Sequence, residues 1–170
     1  SPKPTCYYDS SDKKDPKDSK AQHGHVIFMC GGPILWTSKK HNHVGRSSTD
    51  NEYMAQGLAC TSVMWVRSLL NEMGFPELVD EPTPLLGDND QATKMAIDDY
   101  MSTATRYFRM EYHFCKEAYE AGATQPLRVA GPDNYADMLT KCLAGPTIRK
   151  LRPGLTGYED HPEPPTPTQD

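Results

Sequence analysis

No stretch of these 170 residues is apolar for the roughly 18 positions a membrane-spanning helix needs, so no membrane partner is expected. No Cys-x-x-Cys occurs. The five cysteines, Cys6, Cys30, Cys60, Cys115 and Cys142, are odd in number and widely spaced, which argues against a disulfide framework or a structural zinc site. They read as reduced thiols in an intracellular compartment, most of them small core residues. Positive charge is outnumbered, with 18 Lys and Arg against 23 acids. A net charge of −5 argues against a general nucleic-acid glue. The opening Ser1-Pro2-Lys3-Pro4 has none of the features of a signal or transit peptide and looks like a cut inside a longer chain.

What is present is ordinary for one globular domain: 36% hydrophobic and 24% charged residues. The charge is uneven. Residues 1–48 hold eight Lys and Arg against four Asp, and the remainder holds ten against nineteen acids. The basic first third reads either as a phosphate-contacting surface or as lysines solvating a loop.

The expected domain spans residues 1–156, with a polar loop over 10–23, and a Pro-rich acidic tail follows over 157–170. Strands are expected over 5–9, 25–30, 34–38, 84–88 and 127–130. A long helix should start at Thr49, with Glu52 completing a capping box. Its stripe of Met54, Leu58, Trp65, Leu69 and Met73, widened by Val66 and Leu70, predicts the buried face, and Gly74 and Pro76 end it. Further helices are expected over 89–97, 102–120 and 133–143, and Trp36 and Trp65 are placed in the core. The result is an α/β domain in which an antiparallel hairpin feeds a mixed sheet of about five strands flanked by helices.

Four acids stand at telling places: Asp9 and Asp88 at strand ends, Glu52 in the first turn of the long helix, and Asp137 in the last helix. Carboxylates at strand ends and a helix start can converge on one edge of a sheet, where they are costly unless cations neutralise them. Mg²⁺ suits such oxygens, and two ions can drive in-line displacement at phosphorus with water as nucleophile. Taken singly, each acid reads more simply as a turn, cap or surface residue.

A pattern of words sets these four apart. Trp36-Thr-Ser-Lys-Lys-His, Ser47-Ser-Thr-Asp-Asn-Glu-Tyr53, Asp88-Asn-Asp-Gln-Ala92, Tyr112-His-Phe-Cys-Lys-Glu117 and Ala136-Asp-Met-Leu-Thr-Lys141, in this order and at these gaps, resemble the ribonuclease H domain of copia-type LTR-retrotransposon polyproteins. The resemblance covers about residues 5–155. It implies a ribonuclease-H-like fold, hydrolysis of the RNA strand of RNA–DNA hybrids during reverse transcription, two Mg²⁺ ions (or Mn²⁺), and a reverse transcriptase domain as neighbour. It also implies an intracellular setting, a cytoplasmic virus-like particle or the nucleus, without secretion. By position it puts the metal acids at Asp9, Glu52, Asp88 and Asp137, with Asp12 ranked below Asp9. His113 is a candidate proton carrier or a hydrogen-bonded helical histidine. Lys39, Lys40, Arg46, Ser48 and Asn89 are candidate nucleic-acid contacts.

The chain departs from the family pattern at Lys13-Lys14, at residues 19–24, at Gly45-Arg46, at Arg106-Tyr107-Phe108 and at Cys142. These departures motivate the alternative reading, a catalytically degenerate module that binds or supports. The pairs His23/His25 and His41/His43 point the same way on a strand and are a weaker candidate for zinc, with no third ligand placed by spacing.

Overall fold

Side-chain alternation in the first strand decides the layering. In β1 (Thr5–Ser10), Cys6 and Tyr8 are buried in the main core, while Tyr7 meets Phe28 and Tyr135 edge-on from the other face. The computed structural model describes residues 1–11, 17, 19–42, 44, 45, 47–97 and 109–157, with the backbone alone at 109–113.

β2 (Gln22–Met29) and β3 (Gly32–Lys40) form the antiparallel hairpin, and β4 (Thr83–Gly87) and β5 (Thr124–Arg128) extend the sheet in parallel, in the order β3-β2-β1-β4-β5. Both hairpin strands run further towards the acidic end than expected, β2 starting at Gln22 and β3 ending at Lys40. The loop expected over 10–23 is therefore shorter, since Ser10 pairs with His23. β5 begins three residues before its expected start and contains Pro126. A proline fits there because β5 is an edge strand with one neighbour.

The long helix α1 (Ser48–Glu72) crosses β1, β2 and β4. Its buried face matches the expected stripe only in part: Met54, Val66 and Leu70 are buried. Ala55, Ala59, Cys60, Val63, Val66 and Leu70 form the core contact, while Leu58, Leu69 and Met73 are exposed and Trp65 is 58% exposed. The small residues let the helix lie close to the sheet, so the bulky stripe turns outward. Trp36, on edge strand β3, is 64% exposed, so neither tryptophan is a core residue. Cys6, Cys60 and Cys115 are buried, Cys30 and Cys142 are exposed, and none of the five is in a disulfide.

Two helices, α2 (Asp90–Ile97) and α3 (Arg109–Glu120), pack on the α1 side. Residues 102–108 of the expected helix lie outside the described residues. The helix expected over 133–143 is instead a 3₁₀ turn at Gly131–Asp133 followed by the short α4 (Asp137–Thr140). Asp133 does not cap it. No side chain caps α4, whose N-cap is Ala136; the wholly buried Asn134 instead fixes the approach to it, accepting the Ala136 N–H at 3.1 Å and donating to the Tyr8 carbonyl at 3.0 Å. A last helix, α5 (Gly145–Thr156), has no counterpart among the expected elements; it holds Pro153 in its interior, packs on β3 and ends at Gly157 in the left-handed region. No helix among the described residues is long and apolar enough to cross a membrane.

Candidate metal centre

β1 and β4 run parallel, so their carboxyl ends lie side by side, and each delivers an acid there. Asp9 is the penultimate residue of β1, and Asp88 follows directly on β4. Gly87 is required before Asp88, because a Cβ at that position would collide with the Tyr8 ring. Glu52 comes from above, one turn into α1. Ser47, not Thr49, is the N-cap: its hydroxyl accepts the Asp50 N–H at 3.1 Å. Glu52 is therefore not a capping-box residue. Its Oε1 accepts the Ser10 N–H at 3.2 Å, which pins the side chain over the end of β1.

One oxygen from each of Asp9, Glu52 and Asp88 lies within 4.8 Å of the others, and this is the only group of three or more ligating side chains among the described residues. Asp9 is fully buried and Glu52 nearly so. Glu52 Oε2 is buried without a hydrogen-bond partner. Burial pushes the Glu52 carboxyl up to about 9, reinforced by the charges of Asp9 and Asp88 and opposed by the Ser10 N–H. Burial likewise raises Asp9 to about 7, against the Thr140 hydroxyl and Lys141. Such a cluster is unstable as a set of bare anions. An oxygen-only donor set with an unsatisfied buried carboxylate oxygen fits a hard divalent cation.

Asp137 sits at the start of α4 and reaches the cluster through a lysine. Lys141 Nζ lies 2.9 Å from Asp137 Oδ1 and 3.0 Å from Asp9 Oδ1. Burial disfavours the charge on Lys141, but Asp9 and Asp137 more than reverse this and raise its pKa. The Thr140 hydroxyl donates to the other Asp9 oxygen. α4 is held against the sheet by the Ser38 hydroxyl, which donates to the Leu139 carbonyl at 2.6 Å, and Gln22 donates to Ser38 at 2.8 Å. Close approach here requires Gly24, the partner of Asp9 on β2. A Cβ at that position would come within 2.6 Å of the Leu139 Cβ.

Lys39 and Lys40 are exposed at the same end of the sheet, since Ser10 pairs with His23 and His23 with Lys39. Ser48 is exposed in the first turn of α1. The Asn89 side-chain oxygen is spent capping α2, accepting the N–H groups of Gln91 and Ala92 at 2.9 and 3.0 Å. His23 and His25 are buried in β2, and the His23 ring stacks against that of His41 at 4.7 Å. Asp12, His43, Arg46 and the His113 side chain lie outside the described residues. Sequence reasoning missed Ser10, Asn134, Thr140 and Lys141. Thr140 and Lys141 were within its reach, as they belong to the word Ala136-Asp-Met-Leu-Thr-Lys141. Asn134 and Ser10 act through backbone groups and leave no pattern.

No protein-family model matches the chain. The chain is 30% identical over 139 residues to the Retrovirus-related Pol polyprotein from transposon RE2 of Arabidopsis thaliana, a copia-type element. The match takes in 82% of this chain and spans 9% of the polyprotein. The fold is that of ribonuclease H1 from the halophilic archaeon Halobacterium salinarum, with a TM-score of 0.58, 17% identity, and coverage of 81% of this chain and 94% of that one. It is also that of LC11-RNase H1, solved in complex with an RNA/DNA hybrid, with a TM-score of 0.56, 16% identity, and coverage of 81% and 94%.

Proposed function

We propose that this homologue of copia-type Pol polyproteins, built on the ribonuclease H fold, is a metal-dependent endonuclease that hydrolyses the RNA strand of RNA–DNA hybrids. The observation that carries the reading is the convergence of Asp9, Glu52 and Asp88 within 4.8 Å at the carboxyl ends of two parallel strands. Asp9, Glu52 and Asp88 would hold one divalent ion, and Asp9 with Asp137 would flank a second. Bound there, the ions would supply Lewis acidity at the scissile phosphate and a more acidic attacking water.

The protein's part is positioning. The Ser10 N–H fixes Glu52, the Thr140 hydroxyl fixes Asp9, and Asn134 and Ser38 seat α4, which carries Asp137. Water is the nucleophile, and no side chain of the cluster forms a covalent bond to substrate. The hybrid would be recognised by shape, through 2′-hydroxyls and phosphates. Lys39 and Lys40 offer cationic contacts at the acidic end of the sheet, and the reverse transcriptase domain of the same polyprotein would be the natural neighbour.

The test is cleavage of an end-labelled RNA–DNA hybrid with Mg²⁺ or Mn²⁺, comparing the wild type with Asp88→Asn. Metal-dependent cutting of the RNA strand that the variant loses is expected. Absence of both cutting and Mn²⁺ binding would leave a degenerate binding module.

A further inference from the structure

We propose that Lys141 is a resident counter-ion of the acidic cluster: its ammonium occupies the place between Asp9 and Asp137 where a second divalent ion would bind, and must leave for that ion to enter. The inference rests on the metal-site reading above and concerns the occupancy of that same site. Two carboxylate oxygens from distant parts of the chain, Asp9 Oδ1 on β1 and Asp137 Oδ1 on α4, lie 3.0 and 2.9 Å from one nitrogen. That is the geometry of a cation bridging two anions. Mg²⁺ holds oxygens at about 2.1 Å, so exchanging ammonium for the ion asks the two carboxylates to close in by only about an ångström each.

The partners differ in freedom. The Asp9 side chain is fully buried and also accepts from Thr140, so it stays in place. The Lys141 side chain is 33% exposed and has a route to solvent along its flexible stem. Lys141 follows the last turn of α4 in extended backbone, with φ −132° and ψ 149°, so its side chain can swing outward without unwinding the helix.

The arrangement has two consequences of opposite sign. Without metal, Lys141 neutralises a buried carboxylate and holds α4, and with it Asp137, against β1. With metal, the same charge competes for the site and, once displaced, stays close enough to meet a phosphate of the substrate. A merely structural lysine would give the first effect without the second.

The experiment is calorimetric titration of the whole chain with Mn²⁺ alone, paired with thermal melting in a chelator, for wild type, Lys141→Met and Lys141→Arg. Lys141→Met is expected to melt at a lower temperature without metal yet to bind Mn²⁺ about tenfold more tightly at the weaker of two sites. Lys141→Arg, which keeps the charge, is expected to bind no more tightly than wild type. Unchanged or weaker Mn²⁺ binding by Lys141→Met, or equal tightening by Lys141→Arg, would overturn the role of Lys141 while leaving the metal site standing. No Mn²⁺ binding by any of the three would overturn the metal reading itself, and the proposal with it. Lys141→Gln, neutral but still able to hydrogen-bond both acids, replaces Lys141→Met if the latter does not fold.

Discussion

The acids gather at a cost to the protein alone, and a buried histidine shows how local environment becomes a measurable slope. His25, paired opposite Tyr8 in β2, is almost completely buried. Burial, reinforced by the charge of His23, lowers its pKa to about 4 from the ordinary value of about 6.5. The folded state thus binds fewer protons than the unfolded chain between those two values. The contribution of His25 is full above pH 6.5 and is lost as the pH falls towards 4, amounting to about 3 kcal/mol. Chemical denaturation at pH 7.5, 6 and 5 should show His25→Gln losing less stability on acidification than wild type. Equal losses would mean that His25 is not held neutral. Glu52 acts in the opposite direction: its raised pKa means that, without metal, the fold loses stability as the pH rises from the ordinary carboxylate range towards 9.

At the scale of elements, α4 and α1 carry the site. Gly24→Ala should push α4 off the sheet, costing about 1–3 kcal/mol by overpacking. Because α4 carries Asp137, hybrid cleavage should fall by much more than the lost stability explains, which parallel melting and activity assays would reveal. A variant with reduced stability but unchanged cleavage would sever α4 from the chemistry. For α1, the outward stripe makes a contrasting prediction: Trp65→Gln should change stability by less than about 0.5 kcal/mol, whereas Val66→Ala, on the face against the sheet, should cost more than that in the same denaturation assay. Here the sequence was right only in part, since Met54, Val66 and Leu70 are buried while Leu58, Trp65, Leu69 and Met73 are not. Large apolar residues at helical spacing looked like the core face, but close packing of a helix on a sheet selects Ala55, Ala59 and Cys60, which a hydrophobicity pattern underweights. The hairpin was legible because β-branched and aromatic residues cluster on either side of Gly31-Gly32, and β4 because Leu85-Leu86 is a short apolar run that ends at Gly87-Asp88. β5 was harder, since Pro126 argues against a strand unless it is known to lie at the edge. Position in the family words singled out Asp9, Glu52 and Asp88, whose carboxylates the fold brings together, yet the assignment of Glu52 to a capping box came from local pattern alone and gave way to Ser47.

The whole molecule is acidic, with a net charge of −5, yet its proposed substrate is a polyanion. Binding must then rely on a local cationic edge, to which Lys39 and Lys40 belong. In the Asp88→Asn background, hybrid affinity should fall as salt rises, and Lys39→Ala or Lys40→Ala should each lower the slope of log affinity against log salt by about one. A slope unaltered by either change would place the hybrid on another surface. The account depends above all on a metal lying among the three converged carboxylates. Anomalous diffraction from crystals soaked in Mn²⁺ tests this most directly: the account predicts a peak bounded by Asp9, Glu52 and Asp88, and a structure in which Mn²⁺ binds elsewhere while these three remain without it would contradict it.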